Sequence, residues 1–300
     1  MDLVNRSFYA FIKKMFDIFQ SLGFHLTPVH YYEPIPDTRN LDKSLWNERE
    51  TPPGLDLNEA GQLSLLEAFK NNYLKEYSEF PKHKTGAEAE YYSNNGSFGP
   101  VDAEILYCMV RWFKPKRIYE IGSGFSTLVS AKAVLKNEQE SGVKCELVSF
   151  EPYPNKTLKK GFPGLTSLVE NKIQNIKLET FKGLSDNDML FIDSSHVLSI
   201  GSDVWYEYLN ILPFLNKGVI IHCHDIYIPH EYPKDWVFNK HWFWNESYLL
   251  QAFLSFNVAF ETLWGGIFMN HKHPEKLKAA FPGTYNGIDE PGSFWIRKTK

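Results

Sequence analysis

The sequence predicts an α/β fold, doubly wound around a mostly parallel sheet, with a helical and irregular N-terminal extension. Three observations carry this. From Arg117 onward, short apolar runs alternate with longer amphipathic stretches, the pattern of βαβ layers on a parallel sheet. The stretch Tyr119–Ala131, YEIGSGFSTLVSA, leads from a strand through a glycine loop straight into a helix. Before Val101 that alternation is missing, so the chain divides into an extension over 1–100 and a core over 101–300. With 300 residues, 43% of them hydrophobic, the chain can bury one large core.

In chain order, Phe8, Phe11, Ile12, Met15, Phe19 and Leu22 recur at helical spacing, with Lys13, Lys14 and Asp17 on other faces. The charges interrupt this stripe well short of the roughly 20 apolar residues a bilayer needs, and no small-residue cleavage site follows. Neither a membrane span nor a signal peptide is expected. The stripe instead docks on the protein's own core or on a second subunit, so a homo-oligomer is among the expected assemblies. Thr27 to Pro53 is proline-rich and polar, with His30, Tyr31, Tyr32 and Trp46 interleaved, and reads as ordered but irregular. Asp56 to Tyr77 reads as a helix with Asn58 as its cap and Leu63, Leu65, Leu66 and Phe69 facing inward. A glycine-containing break, Ser93 to Pro100, precedes a helix over Val101–Phe113 that Lys114-Pro115 closes.

Strands are then expected at Arg117–Ile121, Cys145–Phe150, Ser167–Val169, Met189–Ile192 and Val219–His222, and late ones at Ala259–Leu263 and Ser293–Arg297. Helices are expected at Ser126–Lys136, Ser202–Leu215 and Glu246–Phe256. Tyr227 to Asn245 is a long insertion carrying Tyr232, Trp236, His241, Trp242 and Trp244, suited to a lid or substrate wall, or equally to a packing or subunit contact.

Composition narrows the function. A net charge of −4 and a pI near 6.2 provide no basic field for phosphate backbones, so nucleic acid is not the expected partner. Cys108, Cys145 and Cys223 are too few and too scattered for a disulfide framework or a zinc knuckle. They read as small buried hydrophobes in a reducing, cytoplasmic setting.

The cofactor signal lies at strand ends. Gly122 and Gly124 allow a ligand close to the backbone, with helix N–H groups just beyond. Such a loop also fits a nicotinamide-binding protein, whose third glycine is here replaced by Ser126-Thr127. The next strand ends at Glu151, an acid able to accept hydrogen bonds from both ribose hydroxyls. Glu120, closing the first strand, separates the readings, because dinucleotide folds usually run glycine directly off that strand. A nicotinamide-dependent oxidoreductase and a non-catalytic partner protein that keeps the fold remain the alternatives.

YEIGSGFST, followed by VSFEPYP, DMLFIDSSHV and GVIIHCHDIYIP, resembles the class I S-adenosylmethionine-dependent methyltransferases. More closely it resembles a bacterial small-molecule O-methyltransferase group related to the macrocin O-methyltransferase and cephalosporin-methoxylation families. The resemblance spans about Val101 to Leu263 in motif order. It implies a Rossmann-like seven-stranded sheet with a reversed last strand pair and S-adenosyl-L-methionine over the carboxyl ends of the first strands. By position, Glu120, Gly122, Ser123 and Gly124 then line the methionine moiety, Glu151 holds the ribose, and Asp193 belongs to the same crevice. Gln174 and Asn175 stand where the adenine contact usually falls, without an acid there.

The expected reaction is in-line methyl transfer to a hydroxyl of a small molecule, a sugar or glycosylated natural product, which needs proton removal, a metal, or both. His196 is the candidate base on the strength of an ordinary imidazole pKa near 6.5; a loop or capping contact is its structural alternative. His222, inside an apolar run, reads as a core histidine. Asp193, His224 and Asp225 are the candidate ligands of a divalent cation. Related metal-dependent methyltransferases carry an acidic pair after the fifth strand, and His224 replaces its first member here. Magnesium prefers oxygen ligands, and an imidazole shifts preference toward manganese, zinc or iron. Without metal, Asp225 orients His196 or caps the next segment.

Overall fold

The computed structural model describes residues 11–12 and 14–300, so Phe8 and Lys13 of the N-terminal stripe lie outside the described residues. The described residues form two compact units, one from those up to Glu48 together with 232–243, the other from 49–231 and 244–300.

In the smaller unit, a short helix spans Phe16–Ser21 and Ile12 is buried, while Phe11, Phe16, Ile18 and Leu22 are exposed. The proline-rich stretch is ordered without long elements, as its composition suggests. It holds 3-10 turns at Thr38–Asn40 and Lys43–Trp46, whose first N–H groups are taken by the side chains of Asp37 and Asp42. Trp46 anchors the returning segment: its Nε1 donates to the Tyr232 carbonyl at 2.8 Å and its ring lies 5.3 Å from that of Phe238.

In the larger unit the described residues form a seven-stranded sheet: β1 (Arg117–Ile121), β2 (Glu146–Phe150), β3 (Ser167–Val169), β4 (Met189–Ile192), β5 (Ile220–Cys223), β6 (Phe260–Gly265) and β7 (Phe294–Lys298). Their order is β3-β2-β1-β4-β5-β7-β6. The first five are parallel. β7 is antiparallel to both β5 and β6, so β6 runs with the first five. The last pair is thus reversed in order, β7 lying before β6, with β7 the strand that runs antiparallel. β1, β4 and β5 are almost wholly buried, which is why they read in the sequence as continuous apolar runs and not as alternation. Strand order changes direction between β1 and β4, the switch point at which open α/β sheets leave a crevice beyond the strand ends.

Helix Asp102–Phe113 packs on helix Phe125–Ser141 and is buried on nearly every side, so its polar residues need partners. Arg111 has them in Glu76 and Glu140, both at 2.9 Å. The Asp102 carboxylate accepts from the Gly292 and Ser293 N–H groups, each at 3.0 Å. Helix Glu59–Tyr77 begins after Asn58 as expected, but Asn58 does not cap it. It sits at φ +50° and its amide donates instead to the Thr262 carbonyl at 2.9 Å, tying the helix start to β6. Helices Lys156–Lys160, Gly266–Lys272 and Pro274–Ala280 were not expected from the sequence. The last two follow β6 with no intervening loop, and Gly265-Gly266 reads in sequence as a break.

Candidate active site

Strand register sets the site. Ile121 lies opposite Phe150 and Ile192, and Ile192 opposite Cys223, so the residues that follow, Gly122, Glu151, Asp193 and His224, stand at one level across four adjacent strand ends. Backbone bonds extend the ladder there: Gly122 N to Phe150 O (3.1 Å), Asp193 N to Ile121 O (2.9 Å) and His224 N to Ile192 O (2.9 Å).

Gly122 has φ +76°, and a Cβ on it would lie 1.7 Å from the Asp193 carbonyl oxygen. Glycine is required both by the turn and by the closeness of β4. Beyond it, Glu151 organises the glycine loop, its carboxylate accepting from Ser123 N at 3.2 Å and from Tyr153 N at 2.7 Å. The Gly124 N–H donates to Thr127 Oγ1 at 3.0 Å, closing the start of helix Phe125–Ser141. Glu120 is fully buried, takes a hydrogen bond from Ser126 Oγ at 2.6 Å on one oxygen, and leaves the other without a protein partner. Burial pushes its carboxyl up to about 8, against the opposing hydrogen bonds of Ser126 and Thr127. A buried carboxylate oxygen with no donor, beside a glycine turn, suits a cationic ligand group.

Gly122, Glu151, Tyr153 and Asp193 border a cleft of about 390 Å³ that is also lined by Phe150, Lys172, Ile173, Gln174, Ser194 and Asp203. Gln174 thus reaches the cleft, whereas Asn175 bonds back to Asn171 at 2.9 Å. Asp203 lines the same cleft and accepts from Ser195 N at 3.1 Å.

Beside the cleft, Asp193, His196 and Asp225 converge. His196 Nε2 is 3.4 Å from Asp193 Oδ1 and 3.5 Å from Asp225 Oδ2, and one ligand-type atom of each residue lies within 4.8 Å of the others. His196 and Asp225 both hold positive φ, +62° and +53°, a cost that persists where surrounding contacts over-determine it and that clusters at functional sites. His196 is buried. Its Nδ1 is 2.8 Å from Glu246 Oε2, and its ring lies 4.3 Å from that of Trp244. Since a carboxylate only accepts, the Nδ1 proton points to Glu246 and Nε2 faces the two aspartates. Burial would lower the imidazole's pKa, but hydrogen bonds and charge from Asp193 and Glu246 outweigh it and hold the group well above its ordinary value. The ordinary pKa assumed for His196 from sequence therefore does not apply. For Asp193, burial is outweighed by His224 and His196, which hold the carboxyl below its usual range.

His224 approaches this cluster from behind. Its Nε2 is 3.9 Å from Asp225 Oδ1, its Nδ1 is 3.3 Å from His222 Nε2, and Phe98, from the glycine-containing break, packs on its ring at 5.0 Å. The ligand atoms that converge are thus those of Asp193, Asp225 and His196, with His224 behind them. His222 is fully buried and stacked on Phe191 at 4.0 Å, and burial, with the charge of His224, pushes its pKa well below the ordinary value. Glu246, Asp203 and Trp244 are members of the site that sequence reasoning did not single out for these contacts. Of the insertion, Trp244 belongs to the larger unit, while Tyr232, Trp236, His241 and Trp242 belong to the smaller one.

A family profile described as a methyltransferase domain matches residues 119–226, the segment from β1 through the cluster around Asp225. An uncharacterized protein of Archaeoglobus fulgidus is 32% identical over 176 residues, 56% of this chain and 77% of that protein. The chain belongs to the family of that archaeal protein. Its residues 119–226 are a methyltransferase domain. Among solved structures, it is similar to the apo form of CalS11, a TDP-rhamnose 3'-O-methyltransferase in calicheamicin biosynthesis (14% identity, 86% of this chain and 99% of that one, TM-score 0.38). It is also similar to the apo structure named CmcI-N160 (12% identity, 95% and 96%, TM-score 0.35). Among the described residues no helix is long and apolar enough to cross a membrane.

Proposed function

We propose that this chain is an S-adenosyl-L-methionine-dependent O-methyltransferase acting on a hydroxylated small molecule, a sugar or glycosylated natural product. One observation carries the reading: a strand-end cleft lined by Gly122, Glu151 and Asp193 ends at an aspartate that, with Asp225, flanks His196. The methyl donor supplies an activated sulfonium, which leaves the protein to align the acceptor and take its proton. Glu151, already held by two backbone N–H groups, presents its remaining lone pairs to ribose hydroxyls. Glu120 and the Gly122–Gly124 backbone receive the methionine end, with the unpartnered Glu120 oxygen facing its ammonium group.

Asp193, His196 and Asp225 fit a divalent cation: two carboxylates and an imidazole whose far nitrogen is backed by Glu246, the arrangement that fixes a metal-binding histidine's tautomer. A cation held there would lower an acceptor hydroxyl's pKa. Because His196 Nε2 points into the space between the aspartates, ligation and proton acceptance compete for the same atom. A proton on that atom blocks both roles, so a cation bound there would have to displace it and binding would release a proton. The second reading, supported by the His196–Asp225 approach at 3.5 Å, is a metal-free acid–base pair.

The test is release of S-adenosylhomocysteine with a panel of sugars, glycosides and phenols, before and after exhaustive chelation, with add-back of magnesium, manganese and zinc. Activity lost on chelation and restored by magnesium or manganese is expected. Full activity in the chelated enzyme would leave His196 and Asp225 as the acid–base pair. Binding of NAD in place of S-adenosylhomocysteine would overturn the whole reading.

A further inference from the structure

Helix 203–214 is not regular. It opens as an α-helix at Asp203–Tyr206, widens to a π-helical turn at Glu207–Ile211, and returns at Leu212–Phe214. The sequence supplies a cause. Pro213 has no N–H to give and its ring crowds the carbonyl four residues back, so a regular helix cannot run through it unadjusted. A π turn is rare and often marks a functional position.

What the widened turn does is visible in two neighbouring side chains. In a regular helix, successive residues diverge by about 100° around the axis. Here Glu207 and Tyr208 are both fully buried and both reach the surroundings of His196. Glu207 Oε2 accepts from Ser194 Oγ at 2.9 Å, which grips the loop that carries Asp193 on one side and His196 on the other. Tyr208 donates its hydroxyl to Glu246 Oε1 at 2.8 Å, and the other oxygen of that carboxylate bonds His196 Nδ1 at 2.8 Å. Two residues of one turn therefore meet the same imidazole from two directions, one through its loop and one through its carboxylate.

We propose that the π-helical turn is a positioning device for His196, with Glu207 and Tyr208 as positioning residues that act through Ser194 and Glu246. This rests on the reading of His196 as part of the active site. Outer partners of this kind typically change ligand affinity or activity by about 10- to 100-fold when removed.

The experiment uses the full chain with ¹⁵N-labelled histidine and reads the imidazole directly. The wild type should show a slowly exchanging His196 Hδ1 resonance, assigned by its loss in His196→Gln. Tyr208→Phe, which removes one oxygen atom, should speed exchange of that proton with water about tenfold. Glu207→Ala should do likewise, and Glu207→Gln should return it to near the wild-type rate, because an amide oxygen can still accept from Ser194. Manganese affinity, read by electron paramagnetic resonance, should fall about tenfold in Tyr208→Phe and Glu207→Ala. A His196 proton exchanging within twofold of wild type in both variants would overturn the proposal, as would a wild type in which that proton is not protected. Calorimetry with S-adenosylhomocysteine separates the two levels. A wild type that fails to bind it sinks the functional reading, whereas the imidazole signal reports on the turn alone.

Discussion

Replacing Gly122 by alanine tests the cofactor cleft at its tightest point. The new Cβ would fall 1.7 Å from the Asp193 carbonyl oxygen and 2.7 Å from its carbon, and these are backbone atoms that cannot swing aside. Two costs add. Holding a non-glycine residue at φ +76° costs roughly 1–2 kcal/mol, and forcing extra volume between packed strands costs roughly 1–3 kcal/mol. The sum of about 2–5 kcal/mol is less than the roughly 5–15 kcal/mol stability of a typical domain, so most of the protein should still fold. At about 2–4 °C per kcal/mol, its melting temperature should drop by about 4–20 °C. Relief of the overlap must move the end of β4, and with it Asp193, so S-adenosylhomocysteine affinity should fall well over tenfold. Gly124→Ala is the control for the melting temperature alone: its Cβ meets nothing within 4 Å and its φ of −178° is extended backbone. Thermal melts of the two variants by circular dichroism and calorimetric titration of Gly122→Ala decide the matter. A Gly122→Ala protein that melts and binds like the wild type would refute the close crossing of β1 and β4.

Glu151→Ala should weaken S-adenosylhomocysteine binding about tenfold or more, the scale of charge-assisted hydrogen bonds, and unchanged calorimetric affinity would remove Glu151 from the site. Glu120 has its folded pKa raised from 4.5 to about 8, so the stability it contributes is fully present below 4.5 and is lost as the pH rises through about 8. Glu120→Gln should flatten that part of the melting-temperature profile of the ligand-free protein. An unchanged slope would mean that the carboxyl ionises freely. Arg111→Ala strands Glu76 and Glu140, but both are partly exposed and can rehydrate, so urea unfolding should show a loss of about 3 kcal/mol, the low end for a broken buried pair.

The strands were legible in the sequence because each central one is buried on both faces and therefore writes itself as an apolar run, with Glu120, Glu151, Asp193 and His224 marking where the runs stop. What escaped were partners that come from far along the chain. Glu246 lies 50 residues from His196, and nothing local distinguishes it from any acid opening a helix. The state of His196 escaped for the same reason. Its raised pKa arises from Asp193 at the end of β4 together with Glu246 from helix Glu246–Leu254, and the second of these is invisible in the local sequence. Asn58 shows the converse error, a residue of cap type in a cap position whose side chain is drawn away by the Thr262 carbonyl.

The placement of β7 between β5 and β6 gives the sheet an assembly order that differs from its order in the chain. Among the described strands β6 has β7 as its sole neighbour, so it cannot join the sheet until the later segment has laid itself antiparallel along β5. The five parallel strands that carry the cleft need no such wait. Closing the rest requires contacts between segments as distant as Asp102 and Gly292, 190 residues apart, which is the kind of pairing that slows folding because loop entropy is lost before the contact is gained. Loss of the segment 293–300 should accordingly detach two strands together and leave the edge of β5 open to pairing with another chain.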